Sequence, residues 1–199
     1  MAANWITISR VLLAFVVIAL LYAKCEPCYW AALVLVIIVM WFDGLDGFIA
    51  RKFKLTSKFG AVLDIMGDRV VENVFWVVFC ALGWISVWVP LIVLTRGIVV
   101  DSLRSLALEA GYTAFGEKTM QQNPVAKFIV ASNFSRFSYA ACKCAAFLLL
   151  IAGNPSAPIP EDIRAKIFFV GIICTWASVV FCVARGLPVI LESKRFVND

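Results

Sequence analysis

Four aspartates carry the most pointed chemistry in this chain of 199 residues. Asp43 and Asp46 stand three apart, and Asp64 and Asp68 stand four apart. They are among only 13 acidic residues, and both pairs lie in strongly apolar stretches. A carboxylate in such a place is costly and needs a reason. Spacings of three and four put each pair on one face of a helix. Four carboxylates facing one another at low dielectric repel strongly. Shared protons, salt bridges or metal could hold them. Divalent metal is the economical answer, because oxygen ligands suit Mg²⁺, Mn²⁺ or Ca²⁺. Two ions about 3.5–4 Å apart, bridged by carboxylates, form a clamp for displacement at phosphorus. The expected chemistry is therefore metal-assisted work on a diphosphate. There is no histidine, so a histidine base and histidine ligands are excluded.

Two helices must position these acids. The sequence predicts one span from Cys28 to Ala50 and the next from Phe59 to Leu82. The connection between them is short, so the helices run antiparallel as neighbours. Asp43 lies about 12 Å before Arg51 at 1.5 Å per residue, and Asp68 a similar distance beyond Gly60. The two pairs thus reach a similar depth. Gly44, Gly47, Ala50 and Gly60 remove bulk on or beside the acidic face. That opens a cleft, or alternatively allows close helix packing.

The rest of the chain is read for what can hold these two helices. Hydrophobic residues make up 63% of it, where a soluble domain runs near half. At about 20 residues per span there is room for about six helices. The fold class expected is all-α, a polytopic membrane protein with six transmembrane helices. One integral-membrane domain would occupy residues 1–199. The remaining spans run from Trp5 to Ala23, from near Pro90 to Leu108, from Val125 to Ala152 and from Ile167 to Ala184. The first has no small-residue cleavage site and reads as a retained span. Arg51, Lys52, Lys54 and Lys58 crowd the connection after the second span, with no acid among them. By the positive-inside rule that connection and both termini are cytoplasmic. The net charge of +5 fits the same rule, and no basic-aromatic surface points to nucleic acid.

Two smaller features remain. Of the seven cysteines, most lie in apolar runs as small hydrophobes. Cys25-Glu26-Pro27-Cys28 is a lone CxxC, structural or incidental. If it is functional, a disulfide on the outer face is expected rather than zinc. Asn4, Thr7 and Arg10 recur at i, i+3 and i+6 on the first span. That polar line either meets a polar ligand or is a helix cap by Asn4 with a snorkelling Arg10.

Asp43-x-x-Asp46-Gly47-x-x-Ala50-Arg51, eight residues, then Gly60-x-x-x-Asp64-x-x-x-Asp68 resembles the signature of the CDP-alcohol phosphatidyltransferases. Every fixed position and every spacing agrees. The resemblance implies an enzyme that takes CDP-diacylglycerol, passes its phosphatidyl group to a small alcohol and releases CMP. It implies two divalent cations, Mg²⁺ or Mn²⁺, on Asp43, Asp46, Asp64 and Asp68. Asp68 would also be the catalytic base. Gly47, Ala50, Arg51 and Gly60 would line the CDP-lipid site, and a homodimer in the bilayer is implied. Asn4-x-x-Thr7-x-x-Arg10 is similar to the N-terminus of phosphatidylglycerophosphate synthases, which adds Asn4 and Thr7 to that site.

The acceptor is read from basic residues in later spans. Arg96, Arg104, Lys127 and Arg136 need anionic partners in an apolar setting. Glycerol 3-phosphate brings one. Inositol phosphate fits the same residues, and free inositol or serine is the further alternative. Internal pairing is the other use of such bases: Asp101 with Arg104, or Glu72 with Arg69 or Arg96. Bacterial phosphatidylglycerophosphate synthases often carry an acid after the fourth-span arginine, whereas Gly97 follows Arg96 here. A cation transporter or channel is the alternative from another class, since acids inside a membrane also mark ion pathways.

Overall fold

The computed structural model describes residues 2–52, 58–109, 128–130 and 132–193. Lys127, and the connections at 53–57 and 110–127, lie outside them. Six helices are described: α1 (Ala2–Ala23), α2 (Glu26–Lys52), α3 (Lys58–Ala81), α4 (Trp88–Glu109), α5 (Asn133–Ala152) and α6 (Glu161–Glu192). No strand occurs among the described residues, so the all-α expectation holds for them.

Asn4–Ala23, Phe128–Ala152 and Glu161–Glu192 are long and apolar enough to cross a membrane. Among the described residues, the six spans expected are therefore met by three on these terms. For α3 and α4 the difference has a physical source: Asp64, Asp68, Arg69 and Glu72 on the one, and Arg96, Asp101 and Arg104 on the other, interrupt their apolar runs. The apolar stretch of α2 whose side chains are described, Glu26–Phe42, is shorter.

Helix boundaries follow local chemistry. The Schellman turn that ends α3 has Gly83 at φ 75°. Its amide donates to the Cys80 carbonyl, and that of Trp84 donates to Phe79, both at 2.9 Å. Glycine takes this left-handed conformation without a Cβ penalty. At the start of α2, Cys25 and Cys28 are joined by a disulfide, and the Cys28 amide donates to Cys25 Sγ at 3.3 Å. Of the two uses weighed for a functional CxxC, disulfide or zinc, the disulfide is the one observed. At the other end of the chain, α6 continues well past the Ala184 expected from the sequence. It runs through Pro188, which lacks the amide for one helical bond. Arg185, one residue past that expected end, consequently lies inside the helix.

The chain divides into two compact units: Met1–Ser86 with Cys144–Ile172, and Val87–Lys143 with Ile173–Asp199. In the first, α1 packs against both α2 and α3. Thr7, Arg10, Ala14, Val17 and Leu21 are its buried residues, a three- and four-residue alternation that makes one seam. Phe75, Trp76 and Phe79 of α3 surround Phe147 of α5, with ring centroids 5.1, 4.6 and 5.6 Å away. The Tyr29 hydroxyl donates to the Ala152 carbonyl at 2.9 Å and ties α2 to the end of α5. In the second unit, Val100, Ala107, Val130 and Val189 form a small apolar cluster with Leu103 packed against it.

Lipid is as apolar as a leucine core, so helices in it associate through close packing. At Gly153, just past the end of α5, backbone meets backbone. A Cβ there would lie 2.5 Å from the Phe168 amide nitrogen and 3.0 Å from the Arg164 carbonyl oxygen. Both are backbone atoms and cannot swing aside. Gly153→Leu should lose about 1–3 kcal/mol through overpacking, read as a lowered unfolding midpoint in detergent. A midpoint equal to the parent's would show that α5 and α6 do not meet closely there. Replacing Cys25 and Cys28 by serine should cost about 2 kcal/mol or less, because the loop they close is so short.

Candidate active site

The site is built on α1, α2 and α3 of the first unit. Asp43, Asp46, Gly47, Ala50 and Arg51 all lie on α2; their side chains are outside the described residues. The two described aspartates, Asp64 and Asp68, are one turn apart on α3 and both partly exposed, Asp68 with 45% of its side chain accessible. Gly60 lies in the first turns of the same helix. Because α1 packs on both α2 and α3, it is the element that holds the two acidic helices in one unit.

The line on α1 turns out to be a packing seam. Thr7 and Arg10 are buried, at 3% and 1% exposure, and Asn4 is partly buried. Arg10 does not snorkel. Its Nη2 donates to Asp68 Oδ1 in a part-buried ion pair with the carboxylate. Gly67 makes room for it. A Cβ at that position would lie 2.5 Å from Thr7 Cγ2 and 3.3 Å from Arg10 Nη2. A turn further along α3, buried Glu72 pairs with Arg69 at 3.6 Å. That is one of the internal pairings expected from the sequence.

The donor set fits a hard divalent cation. Asp64 and Asp68 bring only oxygen, share a face and remain partly open, and Asp68 already attracts positive charge. Among the described residues alone, no three acidic, histidine or cysteine side chains gather as a metal group. Asp43 and Asp46, the other half of the expected set, are not in that count.

The second unit holds the basic residues. Arg96 and Arg104 are on α4, Arg136 is on α5 and Arg185 is on α6. The charges of Arg96, Arg104 and Arg136 all act on Arg185. Arg96 lies across Gly186, where a Cβ would come 2.8 Å from its Cγ and Nε. Arg185 donates to the Val130 carbonyl at 3.3 Å, and its guanidinium sits 5.7 Å from the Tyr139 ring centroid. The Nε atoms of Arg96 and Arg185 are buried and meet no hydrogen-bond acceptor among the described residues. Buried donors of this kind are rare and call for an account. A phosphate would meet them.

Arg185 was not among the residues expected from the sequence. Its signal was present, as a charge at the end of an apolar run and next to a glycine. It stands one residue past Ala184, the end expected for a span that in fact continues to Glu192. Lys127, expected beside these arginines, lies outside the described residues.

A sequence model of the CDP-alcohol phosphatidyltransferase family matches residues 1–184. A Yersinia pestis (strain Pestoides F) protein is 35% identical over 114 residues, 54% of this chain and 60% of its own length. One from Pseudomonas fluorescens is 32% identical over 173 residues, 81% of this chain and 88% of its own. A third, from Sodalis glossinidius (strain morsitans), is 34% identical over 114 residues, 54% and 60%. All three are named CDP-diacylglycerol–glycerol-3-phosphate 3-phosphatidyltransferase. The chain matches 60% of the length of the Yersinia protein. The match over residues 1–184 takes in the four aspartates, two of the helices able to cross a membrane and most of the third: the chain belongs to the CDP-alcohol phosphatidyltransferase family and is an integral membrane protein.

Proposed function

We propose that this protein transfers the phosphatidyl group of CDP-diacylglycerol to a hydroxyl of glycerol 3-phosphate and releases CMP. The observation that carries the acceptor assignment is the pair of Arg96 and Arg185, brought together where Arg96 lies across Gly186. Two like charges so placed repel one another, and each buries an Nε that meets no acceptor among the described residues. An acceptor with its own phosphate offsets that repulsion and fills those bonds; serine or free inositol does neither. The names of the relatives point the same way.

The division of labour follows from the residues. Asp43, Asp46, Asp64 and Asp68 would hold two divalent cations, Mg²⁺ or Mn²⁺. When bound, these neutralise the diphosphate and stabilise the leaving CMP oxygen. Asn4, Thr7, Gly47, Ala50, Arg51 and Gly60 belong to the CDP-lipid side, Thr7 through its packing against α3. Arg96, Arg104, Arg136 and Arg185, with Lys127, bind the acceptor phosphate. Asp68 takes the proton of the acceptor hydroxyl. The hydroxyl oxygen then forms a bond to the lipid-side phosphorus, and the bond from that phosphorus to the CMP oxygen breaks. A carboxylate within reach of a hydroxyl serves as base without histidine.

Six spans, cytoplasmic termini and a cytoplasmic site complete the reading. Their support is the row of Arg51, Lys52, Lys54 and Lys58. The lipid substrate requires the bilayer, and the family resemblance implies a homodimer within it.

The discriminating experiment is CMP release from CDP-diacylglycerol by the purified protein with a panel of alcohols. Glycerol 3-phosphate should support turnover, and inositol phosphate, inositol and serine should not. Turnover with serine or inositol alone would contradict the assignment. Arg185→Ala should raise the glycerol 3-phosphate KM about tenfold or more, the worth of a hydrogen bond to a charged group, with the CDP-diacylglycerol KM little changed. Equal effects on both KM values would remove the acceptor role. Asp68→Asn should lower kcat by about 10²–10⁴, and turnover equal to the parent's would exclude it as base.

A further inference from the structure

Arg10 is the charge in this protein that is hardest to explain as packing. It occupies a core position of the α1 seam, between Thr7 and Ala14, and is 1% exposed. A long cationic side chain near a helix end ordinarily turns outward toward water. This one turns inward and reaches an acid 58 residues away. Ions buried in this way cost several kcal/mol each before their attraction is counted. The surrounding structure is shaped to permit it. At Gly67 the missing side chain leaves room for Thr7 and for the guanidinium, and the very next residue is Asp68.

The two partners are unequally placed. The guanidinium is sealed in the α1–α3 seam, whereas the carboxylate keeps 45% of its side-chain surface open. Asp68 is therefore gripped from behind by a buried donor while its other side stays accessible. A carboxylate on a helix can turn about two side-chain torsions. A planar guanidinium fixed by packing removes that freedom and selects one orientation. Carboxylates that bind metal are themselves oriented by such outer hydrogen bonds, and losing one typically costs about 10–100-fold in metal affinity or activity.

We propose that Arg10 is a positioning residue: from the α1–α3 seam it fixes the orientation in which Asp68 is presented to metal and acceptor hydroxyl. The proposal rests on Asp68 being a metal ligand and base. It makes a prediction opposite in sign to the simplest competing role. A cation beside a metal site repels the metal. If Arg10 were only a counter-ion filling in for metal, its removal would tighten metal binding. If it orients the ligand, removal weakens binding.

The test is Mn²⁺ affinity of the purified full chain in detergent, without substrate, followed by the free-Mn²⁺ electron paramagnetic resonance signal. Arg10→Met should weaken Mn²⁺ binding about 10–100-fold. Arg10→Lys should restore part of it, because the ammonium supplies charge and donors but no planar fork. In turnover both variants should lose kcat and keep the CDP-diacylglycerol KM within about twofold. In an Asp68→Asn background, Arg10→Met should have no further effect on Mn²⁺ affinity, since its action passes through that carboxylate. Tighter or unchanged Mn²⁺ binding in Arg10→Met overturns the proposal, as does an additive loss in the double variant. If Arg10→Met fails to fold, Arg10→Lys decides: affinity lowered several-fold supports the proposal, and affinity equal to the parent's overturns it. If Asp68→Asn itself leaves Mn²⁺ affinity intact, the reading of Asp68 as a ligand fails and the proposal falls with it. If Asp68→Asn weakens Mn²⁺ binding and the Arg10 variants do not, only the positioning role fails.

Discussion

Charge inside an apolar helix must be answered by charge, and most of this structure can be read from that requirement. Arg10 answers Asp68 across the α1–α3 seam, and Arg69 answers Glu72 within α3. Neither pair is worth much as a source of stability, since desolvation consumes most of the attraction. Their value is placement. The second unit shows a different condition: Arg96 and Arg185 each bury an Nε without an acceptor among the described residues. Under the proposed function a phosphorylated acceptor would meet those donors, and divalent cations would meet the aspartates, by the same rule applied with opposite signs.

Holding those charges in register falls to packing that does not depend on expulsion of water. The aromatic group of Phe75, Trp76 and Phe79 around Phe147 locks α3 to α5. Glycine does the complementary work. At Gly153 it brings two backbones together, and at Gly67 it lets a side chain through to its partner. The same substitution of hydrogen for a methyl group serves stability in one place and the site in the other.

Much of this was legible in the sequence, and the remainder has a consistent cause. Long apolar runs bounded by turn residues placed α1 to α4 within a few residues of their observed ends. The spacing of Asp64 and Asp68 placed them on one face of α3, because helical period alone fixes that. Period does not say which helix a face will meet. Arg10 was assigned to a polar line, but whether that line faced ligand, lipid or another helix depended on a contact distant in sequence. Arg185 was lost for a different reason. A charge followed by glycine and then proline resembles the end of a helix, yet α6 tolerates the missing amide of Pro188 and continues. On α3 and α4 the spans are harder to read, since their charged residues break an apolar run.

The central claim is that the four aspartates act as one set and hold divalent metal. The stoichiometry of Mn²⁺ on the purified protein, measured by equilibrium dialysis, addresses it most directly. The account predicts about two ions per chain, with loss of bound metal in Asp43→Asn and Asp64→Asn alike, although these residues lie on different helices. Binding of no ion, or stoichiometry unchanged by either substitution, would contradict it.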